Sequence, residues 1–401
     1  MLYSLKNPIQ NYAWGSTTSL VALFGIANEN NEPQAEMWMG THPNGCSKVS
    51  VAGKEVLLSD LIASNPQAVL GERQLQSFGG LPYLLKLLAA DKPLSIQVHP
   101  EKSRAAAGFA RENAAGLAID APNRNYRDGN HKPELVYALT RYKAMNAFRP
   151  IAEIVALFEQ SGCTTLAEQV AALKENPTSE QLGAFFRFIL SLRAEQKETA
   201  LAQLFDNIEA KGHQTDLCDP FQTVMELAQE YPGDVGLFSP LMLHVIELQP
   251  GQAMFLDAQT PHAYLKGTGV EIMANSDNVL RAGLTPKYMD VDELVANTRF
   301  IPVPADQLLT TPIIDGVVSN YPVPVDDFCF QVITLNAADV ACTHYEQTVV
   351  GAEILLCIEG EMSIQTDAQE LALKAGQSTF VSADTGAYKL QGSGRMVRIS
   401  A

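Results

Sequence analysis

Two hydrophobic periods divide this chain. Residues 1 to about 148 carry short runs of the kind strands use. Residues 47–51 alternate, and 82–88 and 94–99 are compact apolar runs separated by the turn Asp91-Lys92-Pro93. Helical spacing is weaker here, confined to 57–64 and to the Ala-rich 101–115 after Pro100. From Pro150 the texture changes. Ile151, Ile154, Val155 and Phe158 recur at helical spacing, followed by Leu166, Val170 and Leu173, then Leu182, Phe185, Phe186 and Ile189. Leu201, Leu204, Phe205 and Ile208 continue the pattern, and 221–231 adds a further helix, with Asn176-Pro177 and Asp219-Pro220 as punctuation. At Met242 the period returns to two: Leu243, Val245 and Glu247 alternate with His244, Ile246 and Leu248. The pattern predicts a mainly β protein with an all-α insertion.

A weak internal repeat ties the two β regions together. The stretch 251–260 resembles 376–385, an offset of 125 that sets Gly376 on Gly251, Gly392 on Gly267 and Gly394 on Gly269. His262 falls on Ala387. The expected architecture is two cupin-type jelly-roll β-barrels plus a helical domain. Residues 1–148 and 239–318 form the first, metal-binding barrel, 149–238 the helical domain, and 319–401 a degenerate second barrel. The second barrel is expected to cover the first and bury its edge strands.

With 401 residues, 46% hydrophobic and 18% charged, the chain can bury a large core. Its net charge of −17 argues against nucleic acid or an anionic membrane as partner. An anionic substrate would need a local cluster of basic groups. Cys46, Cys163, Cys218, Cys329, Cys342 and Cys357 are thinly spread without CxxC spacing, so a cytoplasmic location is expected. No signal peptide or membrane span is expected.

Three segments carry candidate metal ligands: Gln97-Val98-His99-Pro100, Lys132-Pro133-Glu134 and Pro261-His262-Ala263. Residues two apart on a strand share a face, so Gln97 pairs with His99 and Lys132 with Glu134. Two His, one Glu and one amide oxygen suit a divalent ion with open positions, such as zinc. A metal-assisted enzyme is the first hypothesis. An iron dioxygenase fits less well, because an amide ligand is less natural there. Lys132 beside a cation could serve proton transfer. Lys86 interrupts the run 84–88, where a charge is costly unless it reaches water or a partner. Arg281 offers a fork of donors for a phosphate or an enediolate oxygen, and Asp277 could position it or a ring hydroxyl. Trp14 and Trp38 could supply an aromatic floor for a sugar ring.

The stretches 126–134 and 262–287, with Gln97-Val98-His99-Pro100 and Asn11-Tyr12-Ala13-Trp14-Gly15, resemble the type I mannose-6-phosphate isomerase family. The similarity runs over essentially the whole chain. It implies a zinc-dependent aldose–ketose isomerase that interconverts mannose 6-phosphate and fructose 6-phosphate through a cis-enediol. By matching positions, one zinc ion per chain would be held by Gln97, His99, Glu134 and His262. Arg281, Lys132 and Asp277 would carry the catalysis, with Lys86, Tyr264, Trp14 and His131 around the substrate. Asp277 with a metal-site histidine would open the ring, and Lys132 would move the C1/C2 proton. Arg281, Lys132 and Lys86 would hold the phosphate. The expected partner is a small sugar phosphate and the expected state a monomer. The alternative is a non-catalytic sugar-phosphate-binding or regulatory cupin. No Gly-rich nucleotide-binding region precedes the β domain, so a fused nucleotidyltransferase is not expected.

Overall fold

The computed structural model describes residues 1–211, 218–336 and 343–401. Two large antiparallel sheets carry most of the β regions, with a separate hairpin of Lys48–Val51 and Lys54–Leu57. The ten-stranded sheet runs Leu243–Leu248, Tyr142–Phe148, His262–Ala274, Tyr83–Ala90, Glu36–Met39, Ile9–Gln10. Ala253–Leu256, Glu134–Ala138, Gln97–Val98 and Leu280–Arg281 pair off that path. The nine-stranded sheet is built on Glu353–Gln365 and Ala387–Ser400. It also takes in Leu2–Ser4, which pairs with Ser378–Val381. The first strand of the chain thus belongs to the C-terminal sheet, a pairing that local period cannot reveal because its partner lies at the far end of the sequence.

Tyr83–Ala90 is buried at every position, which is why it reads as an apolar run and not as an alternation. Leu85, Leu87 and Ala89 join Leu135, Tyr137, Val270 and Ile272 in one wall of a core. Phe330, Ile354, Leu356, Val397 and Ile399 of the second sheet form the other wall. Each such side chain contributes about 1.5–3 kcal/mol on full burial, so this interface is a major share of the stability. What the second β unit covers is therefore a sheet face. The alternate residues Leu84, Lys86 and Leu88 point the opposite way, into the first unit.

Ile151–Gln160, Ala167–Glu175, Ser179–Ser191, Ala194–Lys211 and Pro220–Glu230 are helices. The sequence punctuation marks two of their starts. Asp219 accepts the Phe221 N–H ahead of Pro220, and Thr178 accepts the Gln181 N–H just after Pro177. The apolar stripes bury Ile154, Phe158, Phe185, Phe186 and Ile189 with Met145, Phe148, Ala263 and Leu265. Phe186 meets Phe148 edge-on, with centroids 5.4 Å apart at 89°. The insertion thereby backs the strands Tyr142–Phe148 and His262–Ala274 on their outer side. Ser19–Phe24, Pro66–Leu70 and Glu72–Phe78 are helices that the sequence pattern missed, since each is too short to show a period.

The repeat is structural. Ala253–Leu256 and Ser378–Val381 are equivalent strands, each followed by a long strand, His262–Ala274 or Ala387–Ser400. Leu256 faces Glu134 as Val381 faces Glu353. Gly267 and Gly392 adopt φ of 134° and 126° where each long strand passes close over a neighbour. A Cβ would lie 2.7 Å from the Arg141 carbonyl oxygen at the first and 2.5 Å from that of Glu361 at the second. Between Phe148 and Leu243 the first copy inserts its helices, whereas the second has a short turn at 366–369. Ala387 stands where the first copy has His262, and Glu353 is engaged by Arg398 and Tyr388.

Candidate metal centre and substrate cavity

His99, Glu134 and His262 come together, all buried, with one donor atom from each lying within 4.8 Å of the others. Glu134 opens its strand, and its Oε1 and Oε2 lie 3.3 Å from His99 Nε2 and 3.5 Å from His262 Nε2. Backbone carbonyls fix both rings: His99 Nδ1–H donates to Asn278 O at 2.7 Å and His262 Nδ1–H to Thr260 O at 2.9 Å. Each Nε2 lone pair then faces the carboxylate, the orientation that outer-shell hydrogen bonds impose on metal-binding histidines. His99 Nε2 is buried without a hydrogen-bond partner. Burial lowers the His99 pKa to about 4, against the opposing pull of Glu134, and keeps the ring in its ligating form. Burial alone would raise the Glu134 carboxyl, but Lys132 and His99 outweigh it and hold it well below the usual range. Two imidazoles and a carboxylate fit a zinc ion that keeps an open position. Gln97 stands directly opposite His262 on one side and Arg281 on the other, so the three share one face.

Lys132 Nζ lies 3.1 Å from Glu134 Oε1, the same-side contact that strand parity predicts. Tyr264 donates to Glu134 Oε2 at 3.3 Å and so stands against the metal centre itself. Lys86 is only 5% exposed and does not snorkel to the rim. Its ammonium lies 2.8 Å from Glu271 and 3.5 Å from Glu36, and 5.4 Å from the centroid of the Trp38 ring. Trp38 Nε1–H donates to the second oxygen of Glu36 at 2.6 Å.

Beside this centre opens a cavity of about 450 Å³. Tyr12 and Trp14, stacked at 5.8 Å, line it together with Trp38, Lys86, Gln97 and Lys132. Arg127, Arg281 and Lys287 line it as well, and among the described residues none of the three has a carboxylate partner. Burial and then Arg127 push the Arg281 pKa down. Burial, Arg281 and Arg127 do the same to Lys287. Three crowded, unpaired cations in a chain of net charge −17 give this part of the cavity the charge that could attract an anion. Asp277 also lines the cavity, its Oδ1 3.2 Å from His42 Nε2 and its N–H donating to Asp128 at 2.7 Å.

One expected site residue is turned elsewhere. His131 Nε2 meets Asp327 Oδ2 at 2.9 Å and is not part of the cavity wall. Its ion pair with Asp327 holds the ring there. The two lysines expected to hold phosphate, Lys132 and Lys86, are both engaged by carboxylates. Both metal-site histidines give their Nδ1–H to a backbone carbonyl. The sequence reading missed Arg127, Lys287, Glu36, Glu271 and His42. Glu271 carried a usable signal: like Lys86, it is a charge inside a core strand and needs a partner. Arg127 and Lys287 sit in loops, where polarity is ordinary.

Three family models match this chain. Residues 2–151 match the one described as phosphomannose isomerase type I, catalytic domain, and 158–243 its helical insertion domain. Residues 318–401 match the mannose-6-phosphate isomerase cupin domain. The mannose-6-phosphate isomerase of Salmonella typhimurium is 47% identical over 399 residues, covering 99% of each chain. The protein of that name from Homo sapiens is 33% identical over 414 residues, covering 96% of this chain and 94% of its own. A crystal structure of zinc-bound mannose 6-phosphate isomerase is similar at TM-score 0.93 and 47% identity, covering 99% of this chain and 98% of that one.

Proposed function

This chain belongs to the type I phosphomannose isomerase family, and we infer from that premise that it is a zinc-dependent aldose–ketose isomerase interconverting mannose 6-phosphate and fructose 6-phosphate. The observation that carries the reading is a buried His99–Glu134–His262 centre beside a cavity lined by unpaired cations. Gln97 is the fourth metal ligand in this reading, supported by its place opposite His262. When bound, zinc would supply a Lewis acid able to polarise the sugar's oxygens.

The chain's own residues do the rest. Arg127 and Lys287 hold the dianionic phosphate, and Arg281 between phosphate and metal centre stabilises the negative charge that grows on the enediolate. Asp277 opens the ring by exchanging protons at O1 and O5. Lys132, lining the cavity beside Glu134, moves the proton between C2 and C1. Lys86, Glu36 and Glu271 fix the floor on which Trp38 lies. Domain limits of 1–148 with 239–318, 149–238 and 319–401 suit this division of labour. We read the chain as a cytoplasmic monomer that binds no nucleic acid. In support, the chain carries a net charge of −17 and thinly spread cysteines without CxxC spacing, of which Cys342 lies outside the described residues. The test is fructose 6-phosphate formation from mannose 6-phosphate in a coupled assay. Steady production at enzymatic rates supports the reading; binding of the sugar without turnover overturns it.

A further inference from the structure

The site contains a histidine that neither binds the metal centre nor pairs with a cation. His42 follows the strand Glu36–Met39, is buried, and sets its ring edge-on to Trp38 at 4.9 Å. Its Nδ1 accepts the backbone N–H of Asn44 at 3.2 Å. An N–H pointing at Nδ1 places the ring proton on Nε2. That Nε2–H aims at Asp277 Oδ1, 3.2 Å away, while Asn44 Nδ2 stands 3.5 Å from Oδ2. The backbone N–H of Asp277 is meanwhile held by Asp128.

We propose that His42 is a positioning residue for ring opening: locked in one tautomer by Asn44, it orients the Asp277 carboxylate toward the anomeric centre of the sugar. The proposal rests on the reading that Asp277 opens the ring. In that step the carboxylate takes the proton of the O1 hydroxyl and the O1–H electron pair becomes the C1=O1 double bond. The C1–O5 bond breaks, its electrons stay on O5, and the proton passes from Asp277 to O5. Both oxygens sit on one carbon, so a single carboxylate serves both if its plane is fixed. A carboxylate on a loop is free to rotate; a buried imidazole donor on one oxygen removes that freedom. The hydrogen bond from His42, against opposing burial, also holds the Asp277 carboxyl below its usual range, which keeps it in the proton-accepting form.

The experiment compares the zinc-loaded wild type with His42→Ala, His42→Gln and Asp277→Asn. Each is assayed for kcat/KM with mannose 6-phosphate and with the same sugar deuterated at C2. If ring opening is slowed, it and not C2 proton transfer limits the rate, and the isotope effect disappears. His42→Ala is expected to lose about 100-fold in kcat/KM, with the isotope effect falling toward one. His42→Gln keeps an N–H donor at the same reach and is expected to recover both rate and isotope effect. A rate loss with an undiminished isotope effect, or a Gln variant no better than Ala, overturns the proposal. Asp277→Asn separates the two levels. If it keeps wild-type turnover, the ring-opening role of Asp277 falls and His42 with it; if it collapses while His42→Ala does not, His42 alone is overturned.

Discussion

Lys86 shows how far a single residue can be read without its surroundings. A lysine inside 84–88 signals a partner, but which partner is set by cross-strand register. Glu271 lies directly opposite on the strand His262–Ala274, and Glu36 comes from the neighbouring strand on the other side. Neither is local in sequence. The ligands His99, Glu134 and His262 were legible because residue type and spacing coincide, whereas the contact of His131 with Asp327, 196 residues away, was not. Burial alone would lower the Lys86 ammonium, but Glu271 and then Glu36 more than offset it and hold it above the usual range. Lys86→Met leaves two carboxylates buried without their cation. It should cost about 3–5 kcal/mol in denaturant unfolding, and adding Glu271→Gln should recover part of that. A folded pKa above the unfolded one means the contribution is present in full below about pH 10.4 and fades only as pH climbs through the higher folded value. The stability gap between wild type and Lys86→Met should therefore persist up to about pH 10. A gap that closes below pH 9 would show that the pair does not hold the charge.

At the scale of elements, the helical insertion was the most legible part, because 3.6-residue periodicity persists across Ile151–Gln160 and Ser179–Ser191. The repeat was legible through its turn glycines, and Gly267 and Gly392 show why: only a residue without a side chain passes that close to a neighbouring strand. The strand Leu2–Ser4 was not legible, since three residues carry no usable pattern. Phe186 lies in the insertion yet packs on Phe148, whose strand pairs with the one bearing His262. Phe186→Ala should cost about 3–5 kcal/mol in urea unfolding while zinc stoichiometry stays unchanged, because the cavity forms on the side of the sheet away from the metal. Loss of zinc at full folding would mean that the insertion shapes the site directly.

For the whole molecule, the two sheets stack through Leu85, Leu87, Val270 and Ile272 against Ile354, Leu356, Val397 and Ile399. A chain ending at residue 317 would expose that apolar face and also strand Leu2–Ser4 without its partner. It should be recovered as aggregate; a monodisperse, active fragment would show that the second β unit is dispensable. Everything proposed for the reaction depends on the metal centre of the first unit. The direct measurement is isomerase activity on mannose 6-phosphate as zinc is stripped by a chelator and then titrated back. Activity should fall with bound zinc and return fully at one zinc per chain, with Glu134→Ala failing to respond. Undiminished turnover by the zinc-free chain would contradict the account.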